Sequence, residues 1–144
     1  MITKEQISLS DHRFQKSTDS LKQAKILLDN QMFDGSINRS YYSIFYSIRS
    51  ILCLVNLDSS KHSGVLALFD RYFVKTGIFE KEFSKIAHIA FDVRQDSDYD
   101  DFFYPIIEEA SSQYKKAKKF IDEIEEIRLN LISGQIDLPT VSDN

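Results

Sequence analysis

Between Ser36 and Val55 the apolar residues fall at Ile37, Tyr41, Ile44, Phe45, Ile48, Ile51, Leu52 and Val55, in steps of 4, 3, 1, 3, 3, 1 and 3. That is the period of an α-helix with one face turned to a core. A half-buried strand needs alternation at every second residue, and no stretch of this chain keeps that alternation long enough to make a sheet. Tyr42, Tyr46, Cys53 and Leu54 widen the apolar stripe. A helix so apolar over most of its surface belongs at the centre of a bundle or at a subunit interface.

The remaining segments repeat the pattern. A first helix is expected over 10–30, with Phe14, Leu21, Ala24, Ile26, Leu27 and Leu28 as a partial stripe and Ser10 or Asp11 as its cap. The others are expected over 36–55, 63–75, 80–97 and 102–131. Gly77 marks the end of the third segment, and Pro105 suits the first turn of the fifth, where no backbone donor is needed. With only 4 Gly and 2 Pro in 144 residues, long uninterrupted helices are favoured over a many-turned β-sandwich. The spacing predicts an all-α, antiparallel up-and-down bundle of about five helices, with Ile44, Phe45, Ile48, Leu52, Phe91 and Ile107 buried. It occupies residues 1–132, and residues 133–144, where the period is lost, read as a mobile tail.

Charge and cysteine content narrow the function classes. A net charge of −4 argues against a dominantly electrostatic nucleic-acid binder, though not against a local basic patch. The single cysteine, Cys53, rules out an intrachain disulfide and lies in an apolar run, as a core hydrophobe does. The chain shows no leader-like apolar segment and no membrane span, so a cytoplasmic protein is expected. The histidines, His12, His62 and His88, are far apart in sequence, and no metal or cofactor is expected. Gly-rich phosphate loops and nucleophile elbows are absent.

Four local features could carry chemistry. In Asn38-Arg39-Ser40-Tyr41-Tyr42-Ser43, a helix places Arg39 and Tyr42 on one side, where a guanidinium could grip a phosphate beside a phenol; the same tyrosines would also serve as core aromatics. Arg94 is the only basic residue between Lys85 and Lys115 and sits among Asp92, Asp96, Asp98, Asp100 and Asp101. It is either an ion-pair hub or an anion-binding arginine with Tyr99 near it. Lys61-His62-Ser63-Gly64 opens the third helix, where free backbone donors and His62 could meet an anion or simply form a surface cap. Lys115, Lys116, Lys118 and Lys119 form a basic run that reads either as an RNA-facing stripe or as a solvated face.

In this order and spacing, Ala24, Leu27 and Leu28, then Arg39-Ser40-Tyr41-Tyr42, Ile44-Phe45, Arg49, Lys61-His62-Ser63-Gly64-Val65, Phe69, Val74-Lys75-Thr76-Gly77 and Arg94-x-x-x-Asp98-Tyr99 resemble the HEPN domain family. The likeness is to its small stand-alone prokaryotic branch, with an Arg-Ser-Tyr-Tyr helix and an Arg-x4-Tyr motif, and it spans about residues 10–130. The resemblance implies a helical bundle that pairs as a homodimer and works beside a small nucleotidyltransferase in a toxin–antitoxin pair. It also implies a metal-independent endoribonuclease in which an arginine holds the scissile phosphate and a histidine four to six residues on moves the proton of the 2′-hydroxyl. Arg94 matches that arginine. Where the motif ends in histidine this chain has Tyr99, then Asp100 and Asp101. A phenol with an unperturbed pKa near ~10 is a poor base at neutral pH. Tyr99 is then a phosphate donor, a weak acid or an acceptor of AMP from the partner. Three readings follow: a toxin acting on RNA or nucleotides with catalytic Arg94 and Tyr99 at a dimer cleft, assisted by phosphate-binding Arg39, Tyr42 and His62; a non-catalytic nucleotide-binding or adaptor subunit of a nucleotidyltransferase; and a structural helical dimer with no site.

Overall fold

The computed structural model describes residues 1–141, and its regular elements are all helical. They are α1 (Lys4–Asp29), α2 (Phe33–Leu52), α3 (His62–Phe69), α4 (Lys81–Tyr99) and α5 (Ile107–Ser133). A 3₁₀ turn, Cys53–Val55, ends α2, and a π turn, Asp70–Val74, extends α3. No strand occurs among the described residues. The all-α bundle read from the periodicity is the fold observed.

Four cross-helix hydrogen bonds define the directions. Ser10 Oγ donates to Ser50 O (2.6 Å) and Ser36 Oγ to Ala24 O (2.8 Å), so α1 and α2 run antiparallel. Arg128 reaches back from the end of α5 to Asp11 near the start of α1 (2.7 Å). Arg94, late in α4, donates to Tyr42, early in α2 (3.0 Å). α2 therefore lies at the centre, packed on α1, α3, α4 and α5. Its wide apolar stripe is consumed inside the chain: Ile37, Tyr41, Ile44, Phe45, Ile48, Ile51 and Leu52 are all buried.

The α1–α2 seam has a second signal. Ser36, Ser40, Ser43, Ser47 and Ser50 recur every three or four residues and are all buried, as are Ser10, Ser17, Ser20 and Ala24 on α1. Small side chains let the two backbones approach closely. The hydroxyls of Ser43, Ser47 and Ser50 donate to carbonyls three residues back in their own helix, so their burial leaves no orphan donor. Ser47→Leu is accordingly expected to cost ~1–3 kcal/mol through overpacking, whereas Ser47→Ala should stay within ~1 kcal/mol. Urea unfolding of the two variants checks this, and equal stabilities would contradict the close seam.

The second helix lies three residues earlier than the expected 36–55, and the largest shifts are at the starts of the first and fifth. α1 begins at Lys4, six residues earlier than 10, because Thr3 and Gln6 form a capping box: Thr3 Oγ1 accepts from the Gln6 amide (3.1 Å) and Gln6 Oε1 from the Thr3 amide (2.8 Å). The caps expected at Ser10 and Asp11 are instead interior helical positions. α5 begins at Ile107, not 102. Pro105 restricts Tyr104 to extended backbone, so residues 101–106 stay outside the helix. As a result Ile107, expected in the core, sits at the helix tip and is 51% exposed. Phe91 is partly rather than fully buried and meets Tyr41 edge-on (5.9 Å). Ile44, Phe45, Ile48 and Leu52 are buried as expected.

The turn after α3 has Gly77 at φ +83°, a conformation that favours glycine. α5 closes on Gly134, also at φ +83°, and the Ile136 amide returns to Asn130 O (3.1 Å). Beyond it Ile136, Leu138 and Val141 lie partly buried against the core. The last three residues of the expected tail, 142–144, lie outside the described residues. Cys53 is buried, and burial raises its thiol above the ordinary range. No helix among the described residues is long and apolar enough to cross a membrane.

Candidate functional site

Asn38, Tyr41, Tyr42 and Phe45 occupy positions i, i+3, i+4 and i+7 of α2 and therefore share a face. Antiparallel packing brings the last two turns of α4, with Arg94 and Asp98, against that face. The start of α3 brings His62. Three motifs separated in sequence converge at one place.

Arg94 is the hinge of the cluster. Its Nη2 donates to the Tyr42 hydroxyl at 3.0 Å. Its guanidinium carbon lies 5.4 Å from the Tyr41 ring centroid and 5.2 Å from that of Tyr42, within cation–π range. Nε approaches Asp98 Oδ2 at 2.8 Å as an ion pair one helical turn on, but the N–H is not aimed at the oxygen and Nε has no hydrogen bond. The side chain is 13% exposed. It is thus both a partner of Asp98, as the ion-pair reading expected, and a guanidinium lodged between α4 and the two tyrosines of α2.

Arg39 adds the second guanidinium, 4.8 Å from the Tyr42 ring centroid. Its Nε and Nη2 donate to Asn38 Oδ1 (3.1 and 2.9 Å), and no carboxylate pairs with it among the described residues. Asn38 in turn donates to Asp98 Oδ2 (3.3 Å). Counting Arg39 and Arg94 against Asp98 leaves the cluster one positive charge in surplus, within a chain whose net charge is −4.

His62 stacks on Phe45 (ring centroids 4.2 Å) and on Tyr41 (5.7 Å), and meets Tyr42 edge-on (5.8 Å). Its Nδ1 shares a 2.8 Å hydrogen bond with the Tyr41 hydroxyl. Burial, and then the charges of Arg94 and Arg49, lower its pKa below the ordinary 6.5, so the ring is neutral at neutral pH. Tyr41 is 1% exposed, and burial raises its phenol well above the usual range despite the nearby Arg94 charge. The phenol therefore keeps its proton. The loop leading into α3 is tied down by Asp58, which Arg49 grips through both oxygens (3.2 and 2.9 Å). Gly64 completes the entry, because a Cβ there would fall 2.1 Å from Ser59 Oγ.

Arg94, Arg39, Tyr42 and His62 are therefore brought together, while Tyr99 is not. α4 continues unbroken to Tyr99, so five residues of helix carry the phenol around the axis from Arg94, and it is 75% exposed. With Phe102, Tyr104, Ile106 and Ile107 it belongs to an exposed apolar segment at the α4–α5 connection. Sequence reasoning missed the contributions of Asn38, Tyr41 and Phe45. Their shared i, i+3, i+4, i+7 face was the available signal, but it reads equally well as core. The lysine run is solvated: Lys118 pairs with Asp122 (3.3 Å) and Lys119 with Glu82 (3.0 Å). No group of three metal-ligating side chains converges among the described residues.

The bundle gathers Arg39, Tyr42, His62 and Arg94 against one central helix, so that two guanidiniums, a phenol and an imidazole share one place in a small all-α protein. The HEPN domain family matches residues 10–127, and the chain belongs to it. It is 38% identical over 112 residues to a "UPF0332 protein" of Thermotoga maritima, covering 78% of this chain and 85% of that one. It is 36% identical over 106 residues to the Methanocaldococcus jannaschii protein named "Putative toxin MJ0605", covering 74% of this chain and 78% of the relative. A second protein of that organism, "Putative toxin MJ0142", is 30% identical over 125 residues, 85% of each chain.

Proposed function

We propose that this chain is the toxin of a two-component pair and acts on RNA at the Arg39–Tyr42–Arg94 cluster. The observation that carries the reading is the convergence of two guanidiniums on one phenol, one of them without a carboxylate partner, in an otherwise acidic chain. Guanidiniums present paired donors that match phosphate oxygens, and Tyr42, which accepts from Arg94, keeps its own O–H to donate. The names of the two archaeal relatives support the toxin assignment.

The partner is a small nucleotidyltransferase, and the exposed Tyr99 phenol is where it would attach AMP. Dimerisation through α2 loses its motivation, because that helix is covered within the chain; the apolar segment over 99–107 is the better surface for a second copy or the partner. A second reading, binding of a mononucleotide without turnover, is favoured by Asp96, Asp98, Asp100 and Asp101, whose charges repel a polyanion more than a single phosphate.

The double variant Arg39→Ala/Arg94→Ala separates these accounts. Expression of the wild-type chain should arrest growth and the double variant should not. Wild-type binding to single-stranded RNA should weaken with salt, and losing two phosphate contacts should flatten the log–log slope by roughly 1.4, at about 0.7 per contact. Equal growth arrest by both proteins would sink the assignment. Binding of a nucleotide by the wild type with no effect on RNA or growth would favour the second reading.

A further inference from the structure

Among the described residues the Arg94 helix has no imidazole near Arg94: His88 lies about 1.7 turns back and is engaged with Asp70 at 2.7 Å. The imidazole that shares Arg94's aromatic neighbours is His62, contributed by α3. Arg94 and His62 both pack on Tyr41 and Tyr42. The ring of His62 is fixed on one face by Phe45 and at Nδ1 by the Tyr41 hydroxyl. Its other nitrogen, Nε2, makes no hydrogen bond and is not sealed from solvent.

We infer that His62 is the proton-transfer residue of this site, supplied across the bundle from α3 to serve the phosphate held by Arg94. The inference rests on the proposed action on RNA. When Tyr41 donates to Nδ1, the Nε2 position carries the ring proton; when Nδ1–H donates to the phenol oxygen, Nε2 is a free base. The buried phenol accommodates both tautomers, because its own proton can rotate away from Nδ1. In the second arrangement His62 Nε2 takes the proton of a ribose 2′-hydroxyl. The 2′-oxygen attacks phosphorus and forms a new P–O bond while the P–O5′ bond breaks. The leaving 5′-oxygen takes a proton from water, and His62 returns its own proton to solvent. The products are a 2′,3′-cyclic phosphate and a 5′-hydroxyl, with no metal or redox partner consumed.

The charged and titratable groups facing the ring are Tyr41, Tyr42 and Arg49 from α2 and Arg94 from α4. Two arginines and no carboxylate set its charge environment, which favours the neutral, base-competent ring. Gly64 and the Asp58–Arg49 pair position the α3 entry.

The test uses the full purified chain with a defined single-stranded RNA, reading cleavage rate, product ends and RNA affinity for the wild type, His62→Gln, Tyr41→Phe and Arg94→Ala. His62→Gln should lose about 100-fold or more in cleavage rate while binding RNA within a few-fold of wild type. Tyr41→Phe keeps the stack but frees Nδ1, and should shift the acid limb of the pH–rate profile while retaining measurable cleavage. Wild-type ends should be 2′,3′-cyclic phosphate. If His62→Gln cleaves within a few-fold of wild type while Arg94→Ala does not, the inference fails and the proposed RNA site stands. If the wild type binds RNA through Arg94 but never cleaves it, the proton-transfer role is overturned. If Arg94→Ala changes neither binding nor cleavage of RNA, both readings fall together. Should His62→Gln unfold, Tyr41→Phe alone decides: an unchanged pH profile counts against the assignment.

Discussion

Arg94→Ala should abolish growth arrest while leaving most of the folding stability in place. The two effects differ in size because the guanidinium does two jobs. Its pairing with Asp98 is an i, i+4 contact with poor hydrogen-bond geometry and a partner that is partly open to water. Such pairs contribute about 0–1 kcal/mol. The contacts with Tyr41 and Tyr42 add roughly 0.5–1 kcal/mol each. The expected loss is therefore about 1–3 kcal/mol, several degrees in melting temperature. A donor aimed at developing phosphate charge, by contrast, is worth about 100- to 1000-fold in rate. Arg94→Lys should recover part of the stability but little of the activity, since an ammonium lacks the paired, planar donors. Asp98→Asn is the control: it removes the ion-pair partner but keeps the arginine, and should retain activity. Melting curves and growth assays on the three variants settle the matter. A large stability loss in Arg94→Ala, with activity per folded molecule intact, would make the residue a clamp.

The bundle was legible because its signal is redundant. Over α2 and the 3₁₀ turn that ends it, eight apolar positions repeat one period, and an error at any one of them changes nothing. The boundaries were less legible because each depends on a single local competition. Thr3 and Gln6 form a capping box that outweighs the polar composition of residues 4–9, and Pro105 governs the residue before it more than the helix after it. The serine seam escaped notice for a different reason. Apolarity marks burial in sequence, whereas Ser36, Ser40, Ser43, Ser47 and Ser50 are buried by size; Ser43, Ser47 and Ser50 satisfy their hydroxyls within the helix, and Ser36 donates across the seam to Ala24 O. Nothing in composition distinguishes that row from a solvated face. At the site, Arg94, Arg39 and Tyr42 were recognisable as residue types, but their meeting with His62 depends on how α3 and α4 dock on α2. Tyr99 shows the converse: adjacency in the motif suggested adjacency in space, and the unbroken helix carries it away.

Because α3 is only eight residues long, its position depends on tertiary packing more than on its own helical propensity. Phe69, at its end, is fully buried and meets Phe79 edge-on (5.1 Å), Phe120 on α5 (5.6 Å) and Phe73 (6.4 Å). Phe83 of α4 joins the same group through Phe79 and Phe120 (both 5.9 Å). Removing that ring opens a cavity at the point where α3, α4 and α5 are held together, and such truncations cost ~3–5 kcal/mol. Against a typical total of ~5–15 kcal/mol, this is the largest stability effect expected of any single truncation considered. It should also reach the site. α3 carries His62, so Phe69→Ala ought to lower activity per folded molecule as well as the folded fraction, whereas Phe69→Leu, which refills most of the volume, should spare both. Urea titrations give the stabilities, and assays at protein concentrations corrected for the folded fraction give the activities. A Phe69→Ala protein that loses stability by this amount yet keeps full activity per folded molecule would show that His62 does not depend on α3 docking. The cluster around Arg94 would then have to act without it.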